Sequence, residues 1–187
     1  MTSTTSNPEM DQWLSQKLDE LLPAKLQQIE DGKTPSMAII ATKGTLDWAY
    51  PPLILSSTAA ALGWDVQVFC TFYGLQLLRK DLSGIKISPL ANPAMPMPVP
   101  MPVVVQMLPG MESMATMMMK SKMKSKGVAS LDELRSVCLE SDVRFIACQM
   151  TVDLFEFQKS DFIEGIDYGG AATFMKFAGE ADVCLYI

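Results

Sequence analysis

Cys148 is the residue best placed by its surroundings in the sequence to do chemistry. It closes the run Val143-Arg144-Phe145-Ile146-Ala147-Cys148, which reads as a strand. Three residues on, Thr151 is a good N-cap for a helix over 152–157. A thiol at a helix N-terminus meets backbone N–H groups and the positive end of the helix dipole, and both favour the thiolate. The chemistry expected there is nucleophilic attack or the carriage of sulfur. Cys70 also ends an apolar run, Asp65-Val66-Gln67-Val68-Phe69-Cys70, and is either a second thiol near Cys148 or a buried filler. Cys138 falls within a helical pattern and Cys184 within a strand, so both read as small core hydrophobes.

What is missing narrows the field further. The 187-residue chain has no histidine, which removes Ser-His-Asp and Cys-His hydrolysis and His-ligated zinc. The four cysteines form no C-x-x-C, so no metal site is expected. Lys43-Gly44-Thr45 is not a P-loop and no G-x-G-x-x-G occurs, so nucleotide binding is poorly supported and no cofactor is expected. With 21 acidic and 15 basic side chains the net charge is -6, which argues against a nucleic-acid partner. The carboxylates Asp153, Glu156, Asp161, Glu164 and Asp167 after Cys148 read chiefly as a solvated acidic face. Residues 1–11 are polar and lack a charged segment followed by an apolar one, so the expectation is a cytoplasmic protein with reduced thiols.

The elements that must position these groups follow from periodicity. Residues 1–8 are rich in Ser and Thr and read as disordered. Met10, Trp13, Leu14, Leu18, Leu21, Leu22, Leu26 and Ile29 form one apolar stripe at helical spacing, with Pro23 expected to kink or split the helix. This arm, within residues 1–35, can pack on its own domain or on a neighbouring subunit. Strands are expected at 36–42, 65–70, 84–87, 143–148 and 181–187. Helices are expected at about 46–62, delayed or bent by Pro51-Pro52, and at 72–78, 107–123, 131–141 and 171–178. Ser130 and Glu133 form a capping box before the fifth of these six helices, counting the arm. Residues 36–187 thus read as an α/β domain, with a mainly parallel sheet of about five strands covered by helices.

Sites in such sheets form at the carboxyl ends of the strands. Lys43-Gly44-Thr45, Cys70-Thr71-Phe72 and Cys148-Gln149-Met150-Thr151 should converge there. Lys43, Gly44, Thr45, Gln149 and Thr151 are therefore candidate lining residues. Gly169 and Gly170 are also candidates, because a Gly pair before a helix makes either an anion nest or a tight turn.

One segment breaks the pattern. Residues 89–109 hold seven of the 12 prolines, and ten of the 15 methionines lie between Met95 and Met123. The prolines exclude a continuous helix or central strand and point to extended backbone. Lys120, Lys122, Lys124 and Lys126 make the end of the following helix basic. This Pro/Met-rich insertion, 89–126, reads as an apolar flap or oligomer contact, a membrane-surface contact, a partner-docking segment or a thioether site for Cu(I).

Taken together, several stretches resemble the DsrE/DsrF-like sulfur-transfer family, in its DsrE2-type branch, also labelled peroxiredoxin-like. They are 147–154 (ACQMTVDL), 168–174 (YGGAATF), 72–80 (FYGLQLLRK), 108–111 (LPGM), 117–120 (MMMK) and 127–134 (GVASLDEL). The resemblance runs from about Ser36 to Ile187. It implies a three-layer α/β/α sandwich, often a homo-oligomer, acting in the cytoplasm. It further implies a Cys that carries persulfide or thiosulfonate sulfur and exchanges it with a small TusA-type carrier. Cys148 matches the sulfur-carrying position; at Cys70 the family pattern leads one to expect an aromatic residue. Sulfur transfer requires only a thiolate that attacks a sulfane sulfur and later releases it. The competing reading from the residues is a membrane-peripheral or oligomeric scaffolding protein, with the Met-rich segment on lipid or a partner and structural cysteines.

Overall fold

The computed structural model describes residues 7–88 and 110–187. The chain divides into two units at Thr34/Pro35. The first unit is a helix, α1 (Pro8–Asp31), which runs through Pro23 without ending there. The stretch 1–6 and the Pro/Met-rich residues 89–109 lie outside the described residues, and with them the expected disordered terminus and extended backbone.

The second unit is built on five parallel strands: β1 (Ser36–Ala41), β2 (Asp65–Cys70), β3 (Arg144–Cys148), β4 (Asp167–Gly169) and β5 (Val183–Tyr186). Their order across the sheet is β4-β3-β2-β1-β5. The central strands read as unbroken apolar runs because helices cover both faces, so both side-chain sets are buried. Ala38 of β1 is fully buried with Phe69, Ile146 and Phe174 on one face. Its neighbours Met37 and Ile39 are buried with Val68, Leu53 and Phe145 on the other. The edges are short: β4 has three residues, and β5 alternates partly buried with exposed positions. Ser36 anchors β5 by donating its N–H and Oγ to Asp182 Oδ2, at 2.8 and 3.0 Å.

Helices α2 (Leu46–Ala61) and α4 (Leu131–Glu140) cover the larger core with the help of α3 (Met111–Ser125), whose Met119 and Met123 pack against it. The opposite face is covered by α6 (Ala171–Ala178), through Phe174, Phe177 and Ala178. The outcome is a three-layer α/β/α arrangement. The expected capping box is formed: Ser130 Oγ accepts from Glu133 N–H at 3.2 Å, and Glu133 accepts from Ser130 N–H at 2.7 Å.

Several expectations are corrected. Residues 84–87 are not a strand; the buried Ile85 and Ile87 pack in the core, and Ile87 N–H donates to Thr116 Oγ1 rather than to a ladder. The fifth strand is instead β4, which is fixed by pairing with β3 and has no apolar run of its own. Pro51 and Pro52 do not delay α2, which starts at Leu46, because Tyr50, Pro52 and Leu53 are buried and hold that turn on the core. The short helix expected over 72–78 is present with those bounds, as a 3-10 helix. Gly74 sets its position: a Cβ there would overlap the carbonyl of Ala41. Gly44 is packed in the same way against the carbonyl of Tyr73.

Candidate functional site

Cys148 is the last residue of β3 and is itself the N-cap of α5 (Gln149–Leu154). The expected helix from Val152, capped by Thr151, therefore begins three residues early. Thr151 lies inside it, fully buried, with its side chain turned toward the end of β2. There Thr71 and Thr151 bring their hydroxyl oxygens to 3.1 Å, and Phe72 N–H donates to Thr151 Oγ1 at 3.3 Å. Phe72 has φ 47°, a left-handed conformation that costs a bulky residue roughly 1–3 kcal/mol and is found chiefly where surrounding structure enforces it.

The Cys148 thiol sits against this threonine pair, 4% exposed. Burial pushes its pKa up. Hydrogen bonding from the hydroxyls of Thr151 and Thr71, then from the backbone N–H groups of Thr151 and Met150, outweighs burial and lowers the pKa below the ordinary thiol value. None of these contacts is a regular side-chain cap of the helix. Beneath the thiol lie Ile146, Ala38 and the stacked rings of Phe69 and Phe174, 5.2 Å between centroids. On the segments that follow β2 and β3, Phe72, Tyr73, Met150 and Leu154 are exposed apolar side chains.

The sheet register separates the two strand-end cysteines. Cys70 pairs with Ala147, and Cys148 pairs with Gly169. Side chains alternate along a strand, so Cys70 points with Ala147 into the larger core while Cys148 faces the opposite side. Cys70 is completely enclosed, and burial pushes its thiol up to about 12. Cys138 is also buried, with its Sγ 3.4 Å from the carbonyl oxygen of Leu53, and its thiol is pushed up to about 11. Cys184 is exposed, and all four cysteines are free.

The remaining candidate residues divide. Thr151 and Gly169 are beside Cys148, and Gly170 caps α6, whose Phe174 packs with it. Gln149 donates to Asp153 Oδ1 at 2.7 Å, along its own helix. Lys43, Gly44 and Thr45 follow β1, which β2 separates from β3. Lys43 Nζ lies 3.2 Å from the Trp48 ring centroid, and Thr45 Oγ1 is 2.9 Å from Ser88 Oγ. The residue missed from the list of candidates is Thr71. Its only mark in the sequence is its place directly after a strand end, and its partnership with Thr151 spans 80 residues. Among the described residues no group of His, Cys, Asp and Glu side chains is arranged to hold a metal ion.

A parallel α/β sheet with a thiol at the end of β3, its pKa lowered by local donors, defines a cysteine-bearing α/β protein. Residues 33–186 match the DsrE/DsrF/DrsH-like family, and the chain belongs to that family. It is 64% identical over 155 residues to the sulfur carrier protein DsrE2 of Allochromatium vinosum, covering 81% of this chain and 97% of that protein. It is 31% identical over 159 residues to the uncharacterized protein YrkE of Bacillus subtilis, covering 83% and 98%. The solved ychN protein of E. coli superposes with a TM-score of 0.48 at 10% identity, over 82% of this chain and 100% of that one.

Proposed function

We propose that this protein is a sulfur carrier that loads and releases sulfur at Cys148. The observation that carries the reading is the place of Cys148 at the junction of β3 and α5, beside the hydroxyl pair of Thr71 and Thr151, in a chain 64% identical to a protein named a sulfur carrier. The Cys148 thiolate attacks the outer sulfur of a donor persulfide, R–S–SH. The new bond is Cys148 Sγ–S, the donor S–S bond breaks, and R–S⁻ leaves with the electron pair; the transferred sulfur keeps its proton. No net oxidation occurs and no metal is used. Release is the same step with an acceptor thiolate attacking the carried sulfur.

The hydroxyls and N–H groups that favour the thiolate also favour the persulfide anion, and near-complete burial shelters it from water and oxidants. The exposed Phe72, Tyr73, Met150 and Leu154 form an apolar collar suited to a docking protein. We assign that role to a small TusA-type carrier and place the exchange in the cytoplasm, with this protein as a homo-oligomer.

The test is mass spectrometry of the reduced protein after incubation with glutathione persulfide. Wild type and Cys70→Ala are expected to gain one sulfur atom, and Cys148→Ser to gain none at that position. Sulfur that still loads in Cys148→Ser and disappears in another cysteine variant overturns the assignment.

A further inference from the structure

Helix α1 lies wholly outside the residues matched to the family, so the sulfur chemistry does not account for it. Its Met10, Trp13, Leu14, Leu18, Leu21, Leu22 and Leu26 are all between 50% and 60% exposed. A helix in water draws most of its stability from burying such a stripe, so the stripe needs a cover.

The stripe is not purely apolar. Seven residues span nearly two helical turns, so Asp11 and Lys25, each seven residues from Leu18, lie with it on the centre line of the apolar face. Leu14 and Leu21 complete the alternating three- and four-residue spacing of a helix-pairing seam. A charged residue in such a seam selects the partner and its direction. Two copies packed parallel and in register would put Asp11 on Asp11 and Lys25 on Lys25. Two copies packed antiparallel, crossing at Leu18, put Asp11 of each on Lys25 of the other.

We propose that α1 is a dimerisation arm whose occupant is the α1 of a second copy, packed antiparallel with Leu18 on the two-fold axis. The contact is self-complementary, as a two-fold interface must be. It gives the homo-oligomer of the reading above an interface and rests on that reading only in this respect. A lipid surface fits less well. Helices lying on membranes carry Lys and Arg on their polar face, whereas here Glu9, Asp19 and Glu20 outnumber Lys17 on that face.

Sedimentation equilibrium of the full chain tests the proposal by charge reversal and rescue. Asp11→Lys alone sets Lys against Lys25, and Lys25→Glu alone sets Glu against Asp11. Each is expected to weaken dimerisation at least about tenfold, and the double variant, Asp11→Lys with Lys25→Glu, to recover it. In a Cys184→Ser background, Leu18→Cys is expected to form an intermolecular disulfide on mild oxidation. A monomeric wild type overturns both the dimer and its interface. A dimer indifferent to all three charge variants leaves the oligomer standing and overturns the arm. Arm-dependent sedimentation of a monomer with phosphatidylglycerol vesicles assigns the stripe to lipid instead.

Discussion

Cys70 and Cys148 end neighbouring strands yet face opposite sides of the sheet, because Cys70 is in register with Ala147 and not with Cys148. One thiol is sealed in the larger core and the other is held by two threonines. A relay between them would have to cross from one face of the sheet to the other.

The first prediction concerns the threonines. Thr71→Val and Thr151→Val keep the side-chain shape and remove a hydroxyl that favours the Cys148 thiolate. A hydrogen bond to a charged group is worth about 1.5 kcal/mol or more, so Cys148 alkylation near neutral pH should slow about tenfold in either variant. The full rate–pH profile checks the sign: it should move to higher pH. An unmoved profile means the hydroxyls do not prepare the thiolate.

Alkaline stability reports on the enclosed thiols. Cys70 is pushed up to about 12 and Cys138 to about 11, from 9.0. Both stay neutral in the fold but ionise in the unfolded chain above that ordinary value. Below about pH 9 they leave stability unaffected; as pH rises toward 12, stability falls. For Cys70 the loss reaches about 4 kcal/mol at the top of that window. Urea unfolding at a series of pH values should show a shallower alkaline loss in Cys70→Ala than in wild type.

Gly74→Ala should be severely destabilising, because its Cβ would overlap the backbone carbonyl of Ala41, which cannot move without shifting β1. A loss above about 2 kcal/mol is expected. Gly84→Ala, where a Cβ meets nothing within 4 Å, should stay within about 0.5 kcal/mol of wild type. Thermal melts of the two variants side by side make the comparison.

Ser130→Ala breaks the capping box of α4 and should cost about 1 kcal/mol. Glycine is a better N-cap than alanine although it too lacks the hydroxyl, so Ser130→Gly should cost less. Equal losses in the two variants would assign the whole effect to the hydroxyl and none of it to the backbone at the cap.

Much of this protein is written locally. The apolar runs at 36–41, 65–70 and 144–148 are strands because buried parallel strands are apolar on both faces. The box at Ser130 and Glu133 starts a helix because the two groups lie three residues apart and need nothing else. The strand–Cys148–helix context marks a candidate thiol on the same local grounds. Tertiary structure decided the rest. Strand β4 exists only by hydrogen-bonding to β3. Thr71 meets Thr151 only because β2 and β3 are neighbours. The side of the sheet to which each cysteine points depends on a register that neither strand specifies alone. Periodicity records which residues are buried; pairing decides what they are buried against, and at Cys148 that pairing supplies the hydroxyls that lower the thiol's pKa.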